Sequence, residues 1–267
     1  MTLSPNVLPG EFTDNDRFLF ESWGYIIIPD LLAKSEIGEL HEASERFHAA
    51  LDSDSAPPRG RGAIFEFDPV FERLMDHPGV LPKVAALYGE RFILQSAWNT
   101  RVKPGTRAGG WHQDGSSAYD FKRMGYPIPL IQLRCSYLIT DQTDPGTGNL
   151  EMIPGSHRAM AALPEKIRQE RGDLPIGHVI CAEAGTVLIF HNAVWHRAYD
   201  HNGPNMRYTP HYIYSPPWVR YSDRMQNAQE FMDRTTPLRR ALLGDFEAPD
   251  SPFGRSYDPL PLAEAGV

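Results

Sequence analysis

The chain has 267 residues and a formal net charge of -8, from 34 acidic and 26 basic side chains. Hydrophobic residues make up 41% and charged residues 22%, the balance of a globular protein with a core rather than of a disordered segment. The charge is modest and no lysine and arginine block occurs, which argues against a nucleic-acid surface or an anionic membrane patch. No stretch resembles a transmembrane span or a secretory leader, so the expected location is the cytoplasm.

Thr13 with Asp16 has the pattern of a capping box opening a helix through Trp23, and GYIIIP (24–29) reads as a short strand ended by proline. Ser35 is expected to cap a second helix with Ile37, Leu40, Ser44, Phe47 and Leu51 along one stripe. DSDSAPPRGRG (52–62) interrupts regular structure and is either a surface loop or a flap over a site. Residues 69–88 read as two short helical pieces split at His77, Pro78 and Gly79. From Phe92 the pattern turns to strands, near 92–103, 110–114, 131–140, 149–153, 178–182, 186–190, 194–199 and 206–214. The tail from Trp218 reads as helix followed by irregular wrapping. One domain over 1–267 is expected, with a helical lead-in to about 90, a core of about 91–217 and a C-terminal wrap over 218–267. Its class is mainly β with flanking helices, a double-sheet jelly roll. Cys135 and Cys181 are too few for a disulfide framework or a cysteine zinc site and read as buried free thiols.

WHQDGS (111–116) places His112 and Asp114 on either side of Gln113. In extended backbone the two potential ligands share a face while Gln113 points away, which makes half of a metal site. GTVLIFHNAVWHRAYDHNGPNMRYTPHYIY (185–214) offers His191, His196, His201 and His211 as a third ligand. Its Asn202-Gly203 turn signal, if it joins two antiparallel strands through an even-numbered loop, puts Arg207 on the face of His196; an odd-numbered loop puts them on opposite faces. Two histidines and one carboxylate form the facial triad of non-haem Fe(II) oxygenases, with open positions for oxygen and a bidentate co-substrate. If that co-substrate is 2-oxoglutarate, its distal carboxylate needs a fixed cation, and the planar fork of an arginine suits it.

His112-Gln113-Asp114, GNLEMIPGSH (148–157), and His196 followed eleven residues later by Arg207 together resemble the phytanoyl-CoA dioxygenase family of Fe(II)/2-oxoglutarate oxygenases. FESWGYIIIPDLL (20–32) is similar to the family's N-terminal helix and strand, and the resemblance spans roughly residues 12–220. It implies a double-stranded β-helix of cupin type, with His112, Asp114 and His196 as iron ligands and Arg207 as the 2-oxoglutarate anchor. Gln95 stands where the family often touches the co-substrate, and a satisfied core amide is the competing reading. In IQLRCSYLIT (131–140), Gln132, Arg134 and Ser136 form a polar face that lines either the cavity, where Arg134 is a second candidate for the co-substrate, or solvent. Trp111 and Trp195 read as supports behind the ligands or as ordinary core. His157, with Arg168 at the same spacing of eleven, reads as a turn residue capping backbone groups.

The implied activity uses Fe(II), 2-oxoglutarate and O2 to oxidise a C–H bond of a small or medium-sized organic molecule, with release of succinate and CO2. Asp114 implies oxidation without halide incorporation, since halogenating relatives carry a small residue there. Segments 115–129 and 158–176 are where such folds place lids. The competing readings are a non-catalytic jelly-roll binding protein and a zinc hydrolase, and Arg207 speaks against a purely structural metal site. Neither a nucleic-acid nor a membrane partner is expected.

Overall fold

The computed structural model describes residues 4–53, 62–116, 118–169, 174–224, 226–245, 259–263 and 266, so most of the 52–62 segment lies outside the described residues. Helix α1 (Asp14–Trp23) starts as its sequence requires: the Thr13 hydroxyl accepts from Asp16 N and the Asp16 carboxylate accepts from Thr13 N, both at 3.2 Å. Gly24 ends it at φ 80, and a Cβ there would stand 2.4 Å from both His157 and Val194, so only glycine lets the chain turn into strand β1 (Tyr25–Ile28). Helix α2 (Lys34–Leu51) begins earlier than a Ser35 cap would allow. The Glu36 carboxylate accepts from Ala33 N at 3.0 Å, which satisfies one free donor of the first turn and draws Ser35 inside it. Leu40, Ala43, Ser44 and Phe47 form its buried stripe. Helices α3 (Pro69–Glu72) and α4 (Leu81–Tyr88) follow with the expected break between them.

The strands are β2 (Ile93–Val102), β3 (Leu133–Tyr137), β4 (Leu150–Met152), β5 (His178–Val179), β6 (Val187–His191), β7 (His196–Ala198) and β8 (Arg207–Ser215). They make two antiparallel sheets, a larger one in the order β1-β6-β3-β8-β2 and a smaller one in the order β5-β4-β7. From β3 the chain passes to the small sheet for β4 and β5, returns for β6, crosses again for β7 and comes back for β8, the winding of a double-stranded β-helix with helices outside. The strand expected over 110–114 shrinks to a single bridge, His112 to His196, because a turn begins at Asp114 with Gly115 at φ 75.

Strand parity decides where the site can be. Leu133, Cys135 and Tyr137 on β3, Val187 and Ile189 on β6, and Tyr208, Tyr212 and Tyr214 on β8 pack outward in the large helix-covered core. There the phenols of Tyr137 and Tyr214 donate to Leu74 O at 3.2 Å and Met75 O at 2.7 Å, and that of Tyr212 donates to Phe71 O, which pins the 69–76 segment to the sheet. The alternate residues, including Arg134, Ser136, Leu188, Phe190, Arg207 and His211, belong to the opposite face, between the sheets. Helix α5 (Phe121–Met124) and helix α6 (Glu165–Arg168) stand in the two segments expected as lids, and α7 (Gln229–Arg234) and α8 (Pro237–Leu242) lie in the C-terminal tail. No helix among the described residues is long and apolar enough to cross a membrane.

Candidate active site

His112 and His196 exchange backbone hydrogen bonds, N–H to O at 3.0 Å in both directions, and their ring centroids are 4.3 Å apart. Each imidazole is oriented by a carbonyl two residues before it, His112 Nδ1 at 3.0 Å from Gly110 O and His196 Nδ1 at 2.9 Å from Val194 O. With Nδ1–H given to these carbonyls, Nε2 of each ring is the lone pair left to face the centre. Asp114 joins them from the turn, where its N–H donates to Asn192 O at 2.9 Å, while Gln113 is drawn aside to Ala193 O at 2.6 Å. One ligand atom from each of His112, Asp114 and His196 lies within 4.8 Å of the others.

His196 Nε2 and Asp114 Oδ2, 3.7 Å apart, are both buried with no hydrogen-bond partner. Unsatisfied polar atoms of this kind are expensive unless something else completes them, and two imidazoles with one carboxylate are the donor set that Fe(II) takes. The residues present therefore fit the metal. Arg134 approaches from β3, with Nη2 2.8 Å from Asp114 Oδ2, at angles that make an ion pair rather than a hydrogen bond. Its guanidinium lies between Trp98 and Phe190, 4.8 and 5.5 Å from their ring centroids. Burial pushes the Asp114 carboxyl up, but Arg134 and the two imidazoles outweigh it and hold the group below the ordinary carboxylate range. Burial, the largest effect on His196, lowers its pKa to about 3, so the ring is neutral at physiological pH.

Arg207 reaches the interior by a different route from the expected hairpin. Strands β7 and β8 lie in different sheets, so loop parity does not relate His196 to Arg207. The intervening loop crosses from one sheet to the other and is held by His201, whose Nε2 lies 2.7 Å from Asn205 O. Arg207 opens β8 opposite Val102, is 4% exposed, and donates through Nη1 to Gly148 O. Its Nε has no hydrogen-bond partner, and it makes no ion pair with an acidic group among the described residues. Burial lowers its pKa to about 10, which leaves it protonated at neutral pH. Gln95 occupies a bulge in β2, and both ends of its amide are engaged: Nε2 donates to Arg220 O at 2.7 Å and Oε1 accepts from Gln132 at 2.9 Å.

The remaining histidines stand apart from the triad. His191 accepts from Ala193 N at 3.0 Å and lies with its ring tilted against that of His157, centroids 5.1 Å apart, while His157 Nε2 is 3.1 Å from Glu21 O; His211 meets Ser136 at 2.7 Å. The polar face of β3 thus lines the interior, as one of its two readings had it. Asn192 escaped the sequence reading: its Oδ1 accepts from Ile131 N and Gln132 N, and its carbonyl fixes Asp114. Nothing local in HNAV signals that role. A cavity of about 440 Å³ opens onto His112 and Trp195, walled by Ser116, Asp120, Phe121 and Tyr126 from one expected lid and by Ala162 and Arg168 from the other.

A family model described as phytanoyl-CoA dioxygenase (PhyH) matches residues 20–209. An ectoine dioxygenase of Stutzerimonas stutzeri is 26% identical over 231 residues, which cover 73% of this chain and 74% of that enzyme. Among solved structures, HygX from Streptomyces hygroscopicus, with nickel and 2-oxoglutarate bound, aligns with a TM-score of 0.64 at 16% identity, over 79% of this chain and 89% of HygX. The non-haem α-ketoglutarate-dependent carbocyclase SnoK from nogalamycin biosynthesis aligns with a TM-score of 0.60 at 18% identity, over 85% of this chain and 92% of SnoK. At these identities the structural likeness is one of fold.

Proposed function

Starting from the fact that this chain belongs to the phytanoyl-CoA dioxygenase family, as a non-haem Fe(II)/2-oxoglutarate-dependent oxygenase, we propose that it hydroxylates a C–H bond of a small or medium-sized organic molecule. His112, Asp114 and His196 hold the iron, and Arg207 takes the distal carboxylate of 2-oxoglutarate. The observation that carries this reading is the pairing of two features in one interior: a His-Asp-His set in which His196 Nε2 and Asp114 Oδ2 have no hydrogen-bond partner, Oδ2 meeting Arg134 as an ion pair, and a buried guanidinium without an acidic partner among the described residues. A structural metal site has no use for the second.

Iron with 2-oxoglutarate and O2 supplies the oxidising power, with succinate and CO2 as co-products. The chain's own contribution is position and environment. The carbonyls of Gly110 and Val194 fix the tautomer and tilt of the two imidazoles, and Arg134 holds the Asp114 carboxylate by one oxygen against the rings of Trp98 and Phe190. Trp195 walls the cavity beside His112, and a packed hydrophobic core lies behind β3 and β8. The ectoine dioxygenase relatives support a metabolite-sized substrate, in keeping with the cavity volume of about 440 Å³.

The test is an anaerobic titration of the purified chain with Fe(II) and 2-oxoglutarate. A weak visible charge-transfer band is expected from the chelated co-substrate, followed by succinate release on admission of O2. Turnover supported by Zn(II), or no band at saturating co-substrate, would reject the redox reading.

A further inference from the structure

The wall of the cavity that opens onto His112 carries charge from both sides. Arg168 stands at the end of α6, and its carbonyl accepts from Trp111 N at 3.1 Å, next to one iron-ligand candidate. Its guanidinium lies 5.6 Å from the ring centroid of Trp195, next to the other. The backbone and the side chain of Arg168 are therefore tied to the immediate neighbours of both His112 and His196. Gly110 permits this: a Cβ there would stand 3.4 Å from Arg168 O. The acidic partner of Arg168 is Glu165 on its own short helix, at 3.0 Å, with 63% of the glutamate side chain exposed. A surface pair of that kind contributes little and exchanges readily for a better partner in a more enclosed place.

Asp120 faces the same cavity from the other wall. It holds a left-handed backbone at φ 49, uncommon outside glycine, and its carboxylate meets the exposed Arg123 of its own segment, at 3.2 Å. The rest of the lining is apolar or uncharged, with Phe121, Tyr126 and Trp195 the large groups.

Building on the oxygenase reading of this site, we propose that Arg168 is the specificity-determining residue for the substrate, receiving a single anionic group of a molecule whose body packs on Tyr126 and Trp195. Asp120 opposite disfavours a second anion, so the remainder of the molecule is neutral or cationic. The guanidinium fork suits a carboxylate, sulfate or phosphate monoester alike, and the cavity accepts one small ring system with its substituent.

The proposal is tested on the iron- and 2-oxoglutarate-loaded protein under anaerobic conditions, with binding followed by tryptophan fluorescence and by the shift of the visible band. The probes are phenylacetate and phenyl sulfate, both monoanions at neutral pH, with phenylacetamide as the neutral counterpart and phenylmalonate as the dianion. At least one monoanion should bind about tenfold or more tightly than phenylacetamide and phenylmalonate, the scale of one charge-assisted contact. Arg168→Gln should abolish the preference, Arg168→Lys should retain part of it, and Arg168→Glu should turn it toward benzylamine. Thermal melts of the variants establish that they are folded. Equal binding of anion and amide, a preference that survives in Arg168→Gln, or binding of none of the probes would overturn the assignment. The visible band of the wild type without any probe reports separately on the oxygenase reading, so loss of that band and loss of anion preference are distinguishable failures.

Discussion

Replacing Arg207 with methionine separates what the buried guanidinium does for activity from what it does for the fold. Its pKa falls from 12.5 to about 10 through burial, with no carboxylate to offset it, which corresponds to about 3 kcal/mol spent holding the charge in the interior. Arg207→Met removes that term and the hydrogen bond to Gly148 O, worth about 1 kcal/mol. The ligand-free variant should therefore be more stable by about 2 kcal/mol, a melting point roughly 4–8 °C higher at this chain length. The same change should weaken 2-oxoglutarate binding by about 30-fold or more, since one partner of a desolvated charge pair is worth roughly 2–5 kcal/mol. At a co-substrate concentration 100 times the wild-type Kd, the wild type gains about 2.7 kcal/mol from the ligand and the variant only about 1. Anaerobic scanning calorimetry with and without 2-oxoglutarate measures both terms, and titration of the visible band gives the affinity directly. A ligand-free variant that melts lower than the wild type would refute the burial argument, and one whose 2-oxoglutarate-induced shift is undiminished would refute the placement of the co-substrate at Arg207.

Three further outcomes are expected. His112→Ala and His196→Ala should each lose the single bound iron, measured by metal analysis, with a folded circular-dichroism spectrum; His191→Ala should keep it, and the reverse pattern would move the distal ligand. Asp114→Ala should also lose iron, and mass spectrometry of products from the wild type in chloride buffer should show no chlorinated species, whose appearance would reject the role given to this carboxylate. His191 has its pKa lowered from 6.5 to about 3 by burial, so between those values the unfolded chain binds a proton that the folded chain does not; stability should fall as pH drops below about 6.5, by about 2 kcal/mol at pH 5 from this residue alone. In His191→Gln that part of the slope should vanish in a series of melts from pH 7 to 5, and an unchanged slope would assign the acid sensitivity to other buried histidines.

The fold was legible where the chain's local chemistry and its burial agree. Thr13 and Asp16 cap α1 because both halves of the box are within three residues, and the alternation Leu133, Cys135, Tyr137 against Arg134, Ser136 names the two faces of β3 before any partner strand is known. It was less legible where a nearby residue offers a second solution. Glu36 reaching back to Ala33 moved the start of α2, and the turn after Asp114 reduced an expected strand to one bridge. Those competitions are settled by a fraction of a kilocalorie and by tertiary contacts, neither of which alternation records.

The candidate site divides in the same way. His112 and Asp114 stand out as a pair by their spacing, although the structure sets Asp114 in a turn rather than on an extended strand, and Arg207 stands out by the turn signal and by the family's spacing after the distal histidine. The loop argument offered for Arg207 was nevertheless not the reason it arrives there: β7 and β8 belong to different sheets, and inward parity on β8 alone carries the side chain inside. Arg134 shows the limit most clearly. From its strand it was a candidate for either the co-substrate or solvent, and which of several anions it meets depends on a turn twenty residues earlier that brings Asp114 within 2.8 Å. With the Asp114 charge already balanced by Arg134, the interior without ligands keeps the uncompensated charge of Arg207. On the reading proposed for this site, a dianion pairing with Arg207 at one end and with a divalent metal at the other would leave the net charge of the interior unchanged when both are bound. The metal alone would instead raise a buried charge of one to three, which burial penalises, so a guanidinium and a metal site in one interior favour a ligand that reaches both.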